Sequence, residues 1–372
     1  MSRSMLPARR MEDIRPFHAM EVLARAQALE AQGNDIVHMG VGEPDFPTPE
    51  AIVEAGRNAL DAGCTRYTPA TGLPALREAI AASYASRFGV SVSPARVLVT
   101  PGASGALHLL TAALVDPGDE VLLPDPGYPC NRNFVRLAEG RPVPVPVTAA
   151  AGYQPTPEQI DALATGWTRA LMLASPANPT GAVLSREALA ALREVTWPRG
   201  IQLIVDEIYQ GLLYEGAPAT ALALGEDPFV VNSFSKYYGM TGWRLGWLVA
   251  PEHLVPELDK LAQNLFLSAP TPAQHAALAA FTPAVTEVVE LRREALRSRR
   301  DFLVPALRDL GFGVPLAPAG AFYVYADCSR FTDDSFVLAL ELLHRTGVAL
   351  TPGRDFGDHL PERHLRFAYT TS

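Results

Sequence analysis

Short apolar runs recur along the chain, separated by segments with helical spacing. Val121–Leu123, Val143–Val147, Ala170–Ala174, Ile201–Val205, Phe229–Asn232 and Leu245–Ala250 have strand length, and Val97–Val99 is strand-like as well. Several are apolar throughout instead of alternating. That is the pattern of strands covered on both faces of a mostly parallel sheet. The intervening helices have readable ends. Leu76, Ile80 and Tyr84 share one helical face, and Gly89 stops that helix. Thr156-Pro157-Glu158-Gln159 reads as a capping box with proline at the first helical position, opening a helix to about residue 164. Ser185 caps a helix carrying Leu189 and Leu192, and Asp116-Pro117-Gly118 ends a helix that starts near Ser104. Strand–helix alternation of this kind predicts an α/β fold, a mostly parallel sheet sandwiched by helices.

The last third changes character. Glu287 to about Leu310 is a long, charged helical pattern with apolar Val288, Leu291, Leu296, Phe302 and Leu303. Strand-like Phe322–Tyr325, a helix from about Ser335 to Arg345 stopped by Gly347, and strand-like Leu365–Tyr369 follow. This predicts a smaller α+β domain after a boundary near residue 275.

Composition narrows the class. The 372 residues are 48% hydrophobic and 19% charged, which suits a well-packed globule and not a disordered chain. A net charge of −9 argues against nucleic-acid binding, which needs a basic face. Cys64, Cys130 and Cys328 are widely spaced with no CxxC, so a reducing compartment and no disulfide framework are expected. The eight histidines make no HxxxH or HExxH pair, so no metal is expected. Charges occupy the N-terminus where a signal peptide needs an apolar run, and no apolar stretch approaches the ~20 residues of a membrane helix. A cytoplasmic protein is expected, without a membrane partner.

The chemistry centres on the segment Ser233-Phe-Ser-Lys-Tyr-Tyr-Gly-Met-Thr-Gly-Trp-Arg-Leu-Gly246. A lysine becomes a nucleophile when burial or a neighbouring cation lowers its pKa, and it can then form a Schiff base with an aldehyde. Pyridoxal phosphate is the aldehyde cofactor that uses this chemistry. Its phosphate needs hydroxyls, backbone N–H groups and a cation. Its ring nitrogen needs an acid. Ser233, Ser235 and Arg244 surround Lys236, and Gly102-Ala-Ser-Gly105 lies between a strand and a helix as an anion cradle. Asp206 ends the run Ile201–Val205 with Tyr209 close behind, and Asn178 follows Ala170–Ala174. Strand carboxyl ends are where α/β sheets bind ligands.

Ordered motifs then carry a resemblance: GVGEPDF, RYTPATGLPALREAI, TPGASGAL, PDPGYP, SPANPTG, VDEIYQGLLY, SFSKYYGMTGWRLG and LRFAYT. From Gly40 to Tyr369 the chain resembles the class I/II aminotransferases of the aspartate aminotransferase superfamily, the fold-type I pyridoxal phosphate enzymes. The resemblance implies a large cofactor-binding domain over 46–275 and a small domain from 1–45 and 276–372. It implies that Lys236 forms the internal aldimine and moves the Cα proton. Asp206 would pair with the ring nitrogen, and Tyr209 and Asn178 with the ring oxygen. Ser233, Ser235, Arg244 and the segment Gly102, Ala103 and Ser104 would hold the phosphate. Tyr128 would stack on the ring, and Tyr67 would reach the phosphate of the partner subunit in a homodimer. Arg366 would grip the substrate α-carboxylate beside Gly42, a task suited to a guanidinium fork. Substrate binding would also involve Tyr128 and Asn178.

The implied reaction moves an amino group between an L-amino acid and a 2-oxo acid by a ping-pong course. The same lysine and aspartate would serve a β-eliminating C–S lyase, the alternative reaction. A non-enzymatic regulator with a transaminase-like module is a remote third reading; GVGEPDF begins by residue 40, which leaves no space for a preceding DNA-binding domain. One subgroup of the family binds a side-chain carboxylate through a lysine at the position of Ser104, so that route is not expected here. Arg15, Arg66 and Arg132 are candidates for a cation supplied from the partner chain. Gly40-Val-Gly42 is not a dinucleotide fingerprint, since position 45 is aspartate. The tyrosines and leucines of 321–350 are expected in the core.

Overall fold

The computed structural model describes residues 6–372. Helix α1 (His18–Glu30) leads to a two-residue strand β1 (Val37–His38), then α2 (Glu50–Asp61) and α3 (Pro74–Phe88). The main sheet contains β2 (Val97–Thr100), β3 (Glu120–Asp125), β4 (Arg141–Pro146), β5 (Thr168–Ala174), β6 (Gln202–Asp206), β7 (Phe229–Ser233) and β8 (Gly246–Val249). Helices α4 (Gly102–Leu114), α5 (Pro129–Leu137), α6 (Pro157–Leu163) and α7 (Arg186–Thr196) connect them, and α8 (Val255–Leu265) and α9 (Thr271–Leu278) follow. The long α10 (Pro283–Leu310), β9 (Tyr323–Asp327), α11 (Ser335–Thr346), β10 (Val348–Ala349), β11 (Thr351–Pro352) and β12 (His364–Ala368) complete the chain.

Strand order in the main sheet is β2-β8-β7-β6-β5-β3-β4. All neighbours run parallel except β8, which is antiparallel to both β7 and β2. The continuous apolar runs have a direct physical reason. Leu171, Leu173, Leu203, Val205 and Val230 face one core with Leu76, Ile80, Leu189 and Leu192. Ala170, Met172, Ile204, Phe229 and Val231 face the other with Leu107, Leu110 and Leu258. Neither parity meets water, so neither is polar.

Helix ends follow local chemistry. Thr156 and Gln159 form the reciprocal capping box, Ser185 accepts from the Ala188 N–H, and Gly89 and Gly347 close their helices in the left-handed conformation. Two sequence expectations need correction. The strand expected from Leu245 begins at Gly246. In α10, Val288, Leu291 and Phe302 are exposed, while Val285, Val289, Leu296, Val304 and Leu307 are buried. Charged residues on both sides of the stripe obscured its phase. Buried Arg300, held by Asp301 and Glu215, sits within the core-facing stripe itself.

Outside the main sheet, β9, β11 and β12 form an antiparallel three-stranded sheet, and β1 pairs parallel with β10. A segment near the start of the chain thus pairs with one near its close. Among the described residues no helix is long and apolar enough to cross a membrane. The three cysteines are free thiols.

Candidate active site

The carboxyl ends of β5, β6 and β7 open onto a cavity of about 330 Å³. Asp206 ends β6, Asn178 follows β5, and Ser235 and Lys236 follow β7. The first turn of α4 brings Ala103 and Ser104, the segment before β8 brings Arg244, and β9 and β12 bring Tyr323 and Arg366. Gly40 and Gly42 close the wall from the N-terminal side, and Tyr128 and Tyr209 line it too. Residues from position 40 to position 366 thus converge on one space.

The Lys236 Nζ donates to the Gly42 carbonyl at 2.8 Å. Burial lowers its pKa to about 8; Glu43 opposes that shift, and the Arg366 and Arg244 charges reinforce it. The amine is therefore available as a nucleophile near neutral pH. Asp206 is buried, and among the described residues the only hydrogen bond donated to its carboxylate is from the Ile208 N–H, at 3.0 Å. Burial raises its pKa to about 7, against that hydrogen bond and the Lys236 charge. A carboxylate so poorly compensated is stabilised by any cationic group that enters beside it.

At one end of the cavity lie the first amides of α4, which have no partners within the helix. Gly102 adopts φ +73°, and a Cβ there would come 2.7 Å from an Arg244 guanidinium nitrogen. Only glycine lets that cation approach the helix start. The Arg244 Nη1 donates to the Thr241 carbonyl at 3.0 Å. This end is built for an anion.

At the other end Arg366 is buried between aromatic faces, its guanidinium carbon 4.3 Å from the Tyr323 ring centre and 4.8 Å from that of Phe356. Its Nη1 donates to the Asn178 Oδ1 at 2.8 Å and its Nη2 to the Gly40 carbonyl at 2.5 Å. Among the described residues the buried Nε has no partner. An unpaired buried donor on a fixed guanidinium invites a carboxylate.

Not every expected residue meets the cavity. The Ser233 hydroxyl donates to the Leu245 carbonyl and lies 2.9 Å from the Ser235 hydroxyl, behind the wall. Its place is to orient Ser235, because strand alternation turns it away from the ligand side. Tyr67 is 80% exposed and does not line its own chain's cavity. Arg132 is tied to the Asp355 carbonyl at 2.6 Å, and neither it, Arg15 nor Arg66 lines the cavity. The Tyr209 hydroxyl is 2.9 Å from that of Tyr323.

Tyr323 lies in the core, as expected, and the sequence reading missed that it also lines the cavity, its hydroxyl beside that of Tyr209. A Cβ on Gly42 would overlap the Tyr323 hydroxyl. The alternation of Tyr323, Val324 and Tyr325 could not say which face was which. Phe17, Ala19, Met20, Thr351 and Asp355 also line the cavity and carried no motif. Among the described residues no cluster of metal-ligating side chains is present.

The family model "Aminotransferase class I and II" matches residues 34–372. The chain is 41% identical to a valine–pyruvate aminotransferase of Mycobacterium tuberculosis, over 92% of this chain and 88% of that one. It is 40% identical to the aspartate/prephenate aminotransferase of Thermus thermophilus, over 98% and 94%. A crystal structure of an aminotransferase from Mycobacterium tuberculosis superposes with a TM-score of 0.94 at 39% identity, covering 99% of this chain and 95% of that one. These relatives favour amino-group transfer over the β-eliminating alternative. The chain belongs to the class I and II aminotransferases, and it is a transaminase.

Proposed function

We propose that the cavity binds pyridoxal 5'-phosphate and that the enzyme moves an amino group between an L-amino acid and a 2-oxo acid. The observation that carries this reading is the Lys236 amine and the Asp206 carboxylate, both shifted by burial, in one cavity between an anion cradle and a carboxylate fork. The residues present fit the cofactor. Arg244, Ser235 and the amides of Gly102, Ala103 and Ser104 would hold the phosphate, with Ser233 orienting Ser235. Asp206 would face the ring nitrogen, Tyr209 and Asn178 the ring oxygen, and Tyr128 the ring face. When bound, the cofactor supplies an electron sink conjugated to the donor's Cα.

The chain's own residues do the rest. Arg366 binds the donor's α-carboxylate beside Gly42 and orients its Cα. The neutral Lys236 amine takes the Cα proton and carries it along the face it occupies. Asp206, ionised once a cation lies beside it, keeps that positive charge in place. Tyr128 and Tyr323 exclude water from the reacting face.

The same reading includes a homodimer in the cytoplasm. The exposure of Tyr67 supports a role in the partner's site. Pairing of β1 with β10, and the three-stranded sheet wholly beyond residue 322, support a small domain from 1–45 and 276–372 beside a large one over 46–275.

The test uses purified protein with added cofactor. Borohydride should trap the cofactor on Lys236, and an amino donor with a 2-oxo acid should turn over. Lys236→Ala should lose the trapped adduct and lower turnover by about 10³-fold or more. An untouched rate in that variant would overturn the assignment.

A further inference from the structure

Phe17 occupies the N-cap of α1 and has no side chain able to accept from the helix's first amides. Asp355, from near the other end of the chain, takes that place. Its Oδ1 accepts from the His18 N–H and its Oδ2 from the Ala19 N–H, each at 2.8 Å. The His18 Nδ1 lies 2.9 Å from Oδ1, and the carboxylate is 3% exposed. Arg132 grips the Asp355 backbone carbonyl from the other side. One carboxylate therefore fixes where α1 begins, and Phe17, Ala19 and Met20 line the cavity at that point.

Among the described residues the cavity's basic side chains are Lys236, Arg244 and Arg366. Each already has a task in the transamination. What remains for a donor's side chain is mostly apolar: Phe17, Met20, Val41, Pro129 and Phe356 line the cavity, with Thr241, Thr351 and Asp355 the polar exceptions. A side-chain carboxylate placed there loses water and, among the described lining residues, meets no basic side chain that is not already engaged. An aliphatic or aromatic side chain meets matching surface.

We infer that α1, pinned by Asp355, walls the donor's side-chain pocket and makes the enzyme selective for amino acids with uncharged, apolar side chains. Asp355 is a positioning residue in this scheme; Phe17 and Met20 make the contact. The inference rests on the proposed placement of the donor between Lys236 and Arg366, and its test keeps the two apart.

The holoenzyme is assayed with leucine and with aspartate as donors and pyruvate as acceptor. In parallel, unreactive 4-methylpentanoate and succinate are titrated by calorimetry. The kcat/KM for leucine should exceed that for aspartate by at least about tenfold, and 4-methylpentanoate should bind more tightly than succinate. Met20→Lys should bring both ratios toward unity. Asp355→Ala should narrow them as well and expose the N-terminal segment to protease, with borohydride-trapped cofactor unchanged. Aspartate used as well as leucine, or succinate bound as well as 4-methylpentanoate, overturns the selectivity. Ratios and protease resistance unchanged in Asp355→Ala overturn the pin. Should no donor turn over, the transaminase reading fails, and the calorimetry still decides what the pocket prefers.

Discussion

Arg366 and Asn178 lie 188 positions apart and share a 2.8 Å hydrogen bond inside the cavity. The amide oxygen spends one guanidinium N–H and fixes the rotation of the fork. Nη2 is similarly held by Gly40, so the guanidinium is set before any ligand arrives. A lysine would supply charge without the planar fork. Arg366→Lys should therefore lower kcat/KM by about 10²-fold, mostly through KM. Combining it with Asn178→Ala should cost less than the sum of the single effects, because both act on one contact. Steady-state kinetics on the four proteins check this.

The Lys236 pKa of about 8 makes a second prediction, independent of turnover. Only the neutral amine attacks an aldehyde. The initial rate of cofactor capture by the apoprotein, read by borohydride trapping and mass spectrometry, should rise through a midpoint near pH 8. A midpoint near that of ordinary lysine, above 10, would contradict the burial that the cavity imposes.

Glu207 makes a third. It is fully buried beside Asp206 and accepts from the Ala221 N–H, and among the described residues its second oxygen has no partner. Burial raises its pKa from 4.5 to about 8. A raised carboxyl pKa means the folded state holds a proton that the unfolded chain has released. Its contribution is therefore fully favourable below about pH 4.5 and is lost as pH rises toward 8. Glu207→Gln keeps the accepting oxygen and removes the ionisation. The variant should melt a few degrees above the parent at pH 9, with the gap closing toward pH 5.

Gly42 makes a fourth. A Cβ there overlaps the Tyr323 hydroxyl, and the Gly42 carbonyl holds the Lys236 amine. Gly42→Ala must move one of these groups. It should lower stability by about 1–3 kcal/mol and turnover by at least tenfold. Thermal unfolding and kinetics read the two effects separately.

The sheet was legible because both parities of Ile201–Val205 and Ala170–Ala174 are apolar, a pattern that only two-sided burial demands. Helix ends such as Thr156 and Gly89 were legible because local chemistry decides them. Lys236, Asp206 and Asn178 stood out because charge and amide groups follow apolar runs, while Arg366, in the middle of β12, was legible only through the family resemblance. Tyr323 did not stand out, since a tyrosine on a buried strand has the same neighbours whether its hydroxyl ends in a core or a cavity. The Asp355–α1 contact was invisible for another reason: its partners are separated by more than 330 positions, and neither belongs to a motif. The turned-away hydroxyl of Ser233 depended on a strand phase that spacing alone leaves open.

Segment 234–245 joins β7 to its antiparallel neighbour β8, with Ser233 registered against Gly246. Both ends are thus clamped in adjoining strands, and Lys236 and Arg244 descend from the two legs of one hairpin-like connection. Exchanging a residue there changes one contact. Inserting or deleting one would shift one leg against the other and carry amine and guanidinium out of reach of a common ligand. The length of this connection therefore constrains the site as firmly as the identities of Lys236 and Arg244, and anyone transplanting the site should move the segment as a cassette of fixed length.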